Sequence, residues 1–186
     1  LSMAFYSGKD RVNFPFGDDA EFKLNYGNQT ISGNWTHIFN ETTFSNFVVT
    51  GSRYFNFPYF EIAGTPFKRD NNIYDLSLKA DIEYLPNEKH SASTGIWAGV
   101  FTFRIQDQFD GQNTFGQRIH ARYASWYIQD EWRPIEQWKF LGGLRVNTFS
   151  DGSYIRLEPR LSAEYLRWNR MRLQIAYGRY NQFFKY

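Results

Sequence analysis

The sequence predicts an all-β chain: an antiparallel up-and-down meander that forms part of a transmembrane β-barrel. Three observations predict it. The first is alternation of unusual length. Tyr74, Leu76, Leu78, Ala80, Ile82 and Tyr84 fall on one face of an extended chain, and Asp75, Ser77, Lys79, Asp81 and Glu83 on the other. A two-residue period belongs to a strand and not to a helix. Strands in soluble domains run to about 5–6 residues, and this one is about twice as long. Apolar on one side and charged on the other, it suits a wall with lipid outside and water inside. The second observation is that short and long connections alternate along the chain. The third is an aromatic surplus, 20% of 186 residues, with 13 Tyr, 19 Phe and 6 Trp.

Strands are expected near residues 1–7, 19–27, 30–39, 43–56, 73–85, 90–106, 117–132, 138–149, 153–167 and 171–184. The second and third join into one long strand if Gly27-Asn28 is a bulge rather than a turn. Alternation sets Ala20, Phe22, Leu24 and Tyr26 against Asp19, Glu21, Lys23 and Asn25. It sets Trp138, Phe140, Leu144 and Val146 against Lys139, Arg145 and Asn147. Ile155, Leu157, Leu161 and Ala163 oppose Arg156, Glu158, Arg160 and Glu164, and Met171, Leu173, Ile175 and Tyr177 oppose Arg172, Gln174, Ala176 and Gly178. The runs 43–56 and 90–106 carry apolar residues on both faces. Pro159 conflicts with a central strand, since proline has no N–H for the ladder. Either a bulge near the external rim holds it, or 153–158 is loop.

Short turns are expected at 40–42, 86–89, 133–137 and 167–170, and longer connections at roughly 8–18, 57–72 and 107–116; the short Ser150-Asp151-Gly152 falls in the long series. In a meander, alternate connections lie at the same end, so one end is trimmed and the other elaborated. Beside the short turns lie Phe39, Phe44, Tyr84, Trp132, Trp138, Tyr165 and Trp168, the pattern of an interfacial aromatic belt. The lumenal positions are too charged for a dry sandwich core.

Composition narrows the function. A net charge of +2 gives no reason to expect a nucleic-acid partner. The chain has no cysteine, which excludes disulfides and thiolate metal sites. No run of about 18 apolar residues exists, so a transmembrane helix is excluded, which says nothing against a barrel. Leu1 already lies in a strand-like run and no signal peptide is visible, so residues 1–186 are expected to be one stretch of barrel wall inside a longer protein.

Several stretches carry a family likeness. They are Gly27-Asn28 with Gly33-Asn34-Trp35-Thr36-His37-Ile38-Phe39, Phe44-Ser45-Asn46-Phe47 running to Ser52-Arg53-Tyr54, and Leu78-Lys79-Ala80-Asp81 with Pro86-Asn87 and His90. Further on come Ala124-Ser125-Trp126-Tyr127-Ile128-Gln129-Asp130-Glu131-Trp132-Arg133-Pro134 and Gly143-Leu144-Arg145-Val146. The last are Glu158-Pro159-Arg160-Leu161-Ser162 and Tyr177-Gly178-Arg179-Tyr180-Asn181-Gln182. In this order and spacing they resemble a TonB-dependent outer-membrane receptor of the kind common in Bacteroidetes. The resemblance implies a bacterial outer-membrane location, a barrel of about 22 strands, an N-terminal plug domain, and uptake of a scarce ligand driven through TonB. About nine or ten strands cannot close such a barrel. The implied partners are therefore outer-membrane lipid, the rest of the barrel with its plug, and TonB acting through the plug. A surface lipoprotein is a further partner of such receptors that nothing in these strands specifies.

Catalytic and metal chemistry are not indicated. His37, His90 and His120 stand at no metal-ligand spacing, and His37 shares a face with Trp35 and Phe39. No GxSxG or phosphate loop occurs, and Ser125 and His120 do not suggest a nucleophile–base pair. Asp18-Asp19 is too small a donor set for calcium. Three Asn-X-Thr triplets, at Asn28, Asn34 and Asn40, would matter only in a secreted eukaryotic protein. No enzyme, cofactor or metal is expected. The charged lumenal residues Asp75, Lys79, Asp81, Glu83, Arg145, Arg156, Glu158, Arg160, Glu164 and Arg172 mix both signs, and are expected to form ladders facing water or the plug.

Ligand contact is expected at the long connections, from Phe57, Tyr59, Phe60, Phe109 and Phe115. Aromatic faces beside amides and cations suit a sugar or an aromatic chelate. Siderophore, cobalamin, glycan and peptide importers share this wall pattern. A passive porin, or a secreted soluble β-rich glycan-binding module, are the rival readings.

Overall fold

A computed structural model describes residues 1–17, 20–167 and 171–181. All of its regular structure is strand. The nine strands are β1 (Ser2–Pro15), β2 (Ala20–Asn40), β3 (Thr43–Ile62), β4 (Thr65–Asn87), β5 (His90–Phe109), β6 (Gln112–Ile135), β7 (Trp138–Phe149), β8 (Tyr154–Arg167) and β9 (Met171–Gly178). Each pairs antiparallel with its sequence neighbours, in one open sheet ordered β1 to β9.

The long connections are not loops. Residues 57–72 and 107–116 continue the strands and reverse in two-residue hairpins at Ala63-Gly64 and Asp110-Gly111. The region 8–18 is likewise strand as far as Pro15, though Asp18 and Asp19 lie outside the described residues. Both central residues of the two hairpins have positive φ, 48° and 78° in the first, 47° and 76° in the second. A tight hairpin prefers that conformation because its twist matches the strands, and glycine adopts it without Cβ strain. At the other end, Asn40 and Asn87 cap the turns: Asn40 Oδ1 accepts from the Thr42 N–H at 2.9 Å, and Asn87 Oδ1 from Lys89 N–H at 2.9 Å. The expected contrast of short turns at one end and long loops at the other is therefore not found at these hairpins; the extra residues lie in the strands themselves. Strands β2 to β6 hold 21, 20, 23, 20 and 24 residues, whereas about 9–11 tilted residues cross a bilayer.

Residues 20–40 form one strand. Gly27 pairs with Phe55 and Asn28 with Tyr54 in unbroken register, so Gly27-Asn28 is neither turn nor bulge. Pro159 sits inside β8 opposite Leu144 without a register shift, contrary to both expected solutions. Its carbonyl accepts from Arg179 N–H at 3.1 Å. In an antiparallel strand a residue's N–H and C=O point to the same side, so the missing donor also faces β9, just where that strand ends at Gly178.

One face is the inner one: there side chains reach over an intervening strand, as Tyr123 on β6 does to Asp75 on β4. Following the register from these residues places every predicted lumenal charge on this face. The outer face carries Leu76 and Leu173, exposed by 56% and 55%. Near the Asn-capped turns it also carries linked aromatic rings: Trp132–Phe140 at 5.6 Å, Trp138–Phe140 at 5.5 Å and Trp138–Tyr165 at 4.8 Å. Trp35, His37 and Phe39 share that face, through ring contacts of 5.6 and 4.6 Å. Phe44 does not belong to the belt, because it pairs with Glu83 on the inner face. Trp168 lies outside the described residues.

Alternation reverses its polarity toward the glycine hairpins. Phe22, Leu24 and Tyr26 are inner-face residues there, opposite Phe60, Pro58 and Asn56, while Glu21, Lys23 and Asn25 point outward. The apolar set is therefore not on one face for the whole length of the strand.

Ala63 holds a left-handed conformation that costs an L-residue about 1–2 kcal/mol and that asparagine tolerates better. Ala63→Asn should stabilise the full-length protein by up to about 1 kcal/mol, read as a raised urea midpoint of detergent-solubilised protein; a lowered midpoint would contradict the turn assignment.

Candidate functional site

The inner face near the glycine hairpins is built around a row of phenylalanines. Phe14 pairs with Phe22, Phe22 with Phe60, Phe60 with Phe67, and Phe67 with Phe109, so five adjacent strands each place a phenyl ring at one level. Neighbouring strands lie about 4.8 Å apart, which makes the row about 19 Å wide. The rings of Phe14 and Phe22 stack at 6.4 Å. Phe14 and Phe109 remain 54% and 52% exposed.

One step below the row, Arg69 pairs with Asp107 across β4 and β5. The guanidinium Nε and Nη2 donate to the two carboxylate oxygens, each at 2.6 Å. A two-pronged contact fixes both planes. These hydrogen bonds hold the Asp107 carboxyl below its ordinary range, and Asp107 is 7% exposed. The rings thus sit on a rigid, internally neutralised base.

Of the residues expected to bind ligand, the structure brings Phe60 and Phe109 into this row. Phe115 lies on the same face, paired with Asp107. Phe57 and Tyr59 are on the outer face. Phe57 stacks on Phe55 at 5.3 Å, and Tyr59 bonds Glu61 with the Lys23 and Lys68 amines over its ring at 5.5 and 5.7 Å. Sequence reasoning missed Phe14 and Phe22. Only cross-strand register reveals that they align with Phe60.

Further down, the inner wall is polar. Tyr123 donates to Asp75 at 2.8 Å and Tyr127 to Asp81 at 2.6 Å, each phenol crossing β5 above a glycine. A Cβ on Gly99 would lie 2.5 Å from the Tyr123 hydroxyl and 2.8 Å from the Leu76 carbonyl; one on Gly95 would lie 2.7 Å from the Tyr127 ring. Glycine suits both positions because the tyrosines, together with the backbone carbonyls of Leu76 and Ala80, occupy that space. Trp97 packs edge-on to Tyr123 at 4.9 Å. Charges compensate along the wall, with Lys79–Asp81 at 2.8 Å, Arg172–Glu164 at 2.6 Å and Lys139–Glu131 at 3.3 Å. A concavity of about 740 Å³ opens here, lined by Asp75, Trp97, Tyr123, Arg145, Glu158 and Arg160 among others. Glu158 is 4% exposed and accepts from the Asn181 N–H at 2.8 Å.

The histidines are engaged singly. His90 Nδ1 lies 2.8 Å from Asp130 and His120 Nδ1 lies 2.6 Å from the Thr102 hydroxyl. Among the described residues no three His, Asp or Glu side chains converge on a point that could hold a metal; Asp18 and Asp19 lie outside them.

No protein-family model matches the chain, and no curated protein matches its sequence. Solved structures do match. The ferric yersiniabactin uptake receptor FyuA from Yersinia pestis superposes with a TM-score of 0.61 at 12% identity, over 88% of this chain and 32% of that one. The siderophore receptor PirA from Pseudomonas aeruginosa gives 0.41 at 12% identity, over 89% of this chain and 37% of that one, too low to bear on the fold. The chain thus spans about a third of the length of the uptake receptor it matches. The fold is a partial up-and-down β-barrel, and the face bearing the Tyr–Asp bridges and the phenylalanine row is the inside of its wall.

Gly99→Ala should cost about 1–3 kcal/mol by overpacking Tyr123, measured by urea unfolding of the full-length protein. Tyr123→Ala should cost less in that background than in the wild type, because two of the three nearest contacts of the added methyl are with Tyr123. A neutral Gly99→Ala would mean that the tyrosine does not lie over β5.

Proposed function

We propose that this chain is a wall segment of a TonB-dependent outer-membrane transporter that imports a scarce ligand. The observation that carries the reading is the two-sided wall. Its outer face is apolar and edged by aromatic rings, its inner face is charged, and its strands run about ten residues past what a bilayer needs. A wall in hydrocarbon must pair every strand laterally, and the free edges of β1 and β9 would be met by the remaining strands of a larger barrel. A plug, TonB acting through it, and outer-membrane lipid are the partners this reading needs.

Superposition on a receptor for a ferric siderophore supports placing a metal chelate first among siderophore, cobalamin, glycan and peptide. The phenylalanine row supports the same order. Five apolar rings at the mouth, with one neutralised ion pair beneath, suit a planar aromatic ligand better than a strongly charged one. Phe60, Phe109 and Phe115 would make first contact from the inside of the mouth. Phe57 and Tyr59, on the outside, would meet only a ligand or accessory protein that approaches over the rim. A Bacteroidetes-type origin and a surface lipoprotein partner rest on the sequence resemblance alone.

The test is uptake by cells expressing the full-length protein, challenged with radiolabelled ferric catecholate, ferric hydroxamate, cobalamin and maltoheptaose. Uptake of one of these should be saturable and should fall to background with a protonophore or without TonB. Phe60→Ala with Phe109→Ala should weaken binding of that ligand by about 5- to 100-fold, from the stacking energy of two rings. Uptake indifferent to the protonophore would instead establish a passive porin.

A further inference from the structure

On the outer face of β5 and β6, the apolar surface ends at a sharp line, and arginine stands on the far side of it. Along β6 the outward residues run Ile128, Trp126, Ala124 and then Arg122, His120, Arg118. Along β5 they run Ile96, Ala98, Val100 and then Thr102, Arg104. On β3 the outward residues run Val49, Gly51 and then Arg53, which stands alone between that apolar stretch and the stacked Phe55 and Phe57 nearer the hairpin, with its guanidinium over the Phe55 ring at 5.2 Å. Arg122 pairs with Val100, so the charge begins directly on the apolar edge.

Arg104 and Arg118 are directly opposite each other. Like charges in that relation destabilise a sheet. Neither forms a salt bridge with a carboxylate among the described residues; Arg104 donates only to Gln106, at 3.0 Å. Asp70, the nearby outward acid, sits one step further out, opposite Gln106. Glu21 and Glu61, near the tips, are engaged by Lys23 and Tyr59. Arg53 is held in place by Asn72, whose Oδ1 accepts its Nη2 at 2.9 Å, and by the Tyr74 ring at 5.5 Å.

We infer that Arg53, Arg104, Arg118, His120 and Arg122 form a binding surface for the phosphorylated headgroup of a glycolipid in the outer leaflet. The inference rests on the membrane reading above. If acyl chains cover the outer face up to Val100 and Ala124, the headgroups of those same lipids lie at the level of the arginines. A facing arginine pair supplies the forked donors that a phosphate monoester accepts, and the anion would remove the repulsion between them. The continuity of this belt with the apolar band selects a lipid headgroup over a free anion.

The test uses full-length protein in detergent, with diphosphoryl lipid A as probe and native mass spectrometry as readout. Wild type should retain lipid A through delipidation and bind dephosphorylated lipid A more weakly. Arg104→Gln with Arg118→Gln should bind lipid A about 10- to 30-fold more weakly. Arg104→Lys with Arg118→Lys should keep most of the affinity, and Arg156→Gln on the inner face should keep all of it. Heat-modifiable migration on gels verifies that each variant is folded. Undiminished lipid A binding by the Gln variant would overturn the inference, as would equal competition by inorganic phosphate. Protein that stays monodisperse without detergent would remove the membrane reading itself, whereas loss of lipid A binding by a membrane-embedded wild type would remove only the belt.

Discussion

In hydrocarbon, an unpaired backbone amide or carbonyl costs several kcal/mol, and no water is present to replace the missing partner. For a wall placed in a bilayer, as proposed, this constraint accounts for much of the architecture. It forces each strand to pair along its length with the next, which is the β1-to-β9 order observed. It makes Pro159 tolerable only where its absent donor faces the end of a neighbour, at Gly178. With the backbone satisfied laterally, the side chains are free to differ completely between faces. Along β4, Leu76, Leu78 and Ile82 go outward, and Asp75, Lys79, Asp81 and Glu83 go inward, where Asp75 and Asp81 meet Tyr123 and Tyr127.

On the proposed membrane reading the constraint lapses beyond the bilayer, and toward the glycine hairpins the strands do change character. Glu21 and Lys23 turn outward, Phe22 and Leu24 inward, and the outer face of β5 and β6 passes from Ala98 and Ala124 to Arg104 and Arg118. The same strand therefore has an apolar outside at one level and an apolar inside at another. The phenylalanine row at the mouth and the arginine belt on the flank are both products of that inversion.

The strands and their two faces were legible wherever one medium lies on each side. From Tyr74 to Tyr84, and along β7, β8 and β9, alternation alone separates Leu144 from Arg145 and Leu173 from Arg172 as the structure does. What alternation cannot say is which face is inside, so Phe22 and Leu24 read as outward and Phe44 as part of the belt. The Asp110-Gly111 dipeptide was a readable signal for a two-residue hairpin, hidden by the polar residues around it; Ala63-Gly64 carried a weaker one. The candidate site was half legible. Phe60 and Phe109 stand out by local density, but their alignment with Phe14 and Phe22 depends on four registers linking residues far apart in sequence.

The proposed function requires the wall to meet two solvents, so the decisive measurement is which solvent each position meets. Single cysteines replace Leu78, Leu144 and Leu173 on the outer face, and Lys79, Arg145 and Arg172 on the inner face, in the full-length protein within native membranes. A membrane-impermeant, water-soluble maleimide and a lipid-dissolved one are then compared. The outer set should react with the lipid-dissolved reagent alone, and the inner set with the aqueous one. Equal aqueous labelling of both sets would contradict the account.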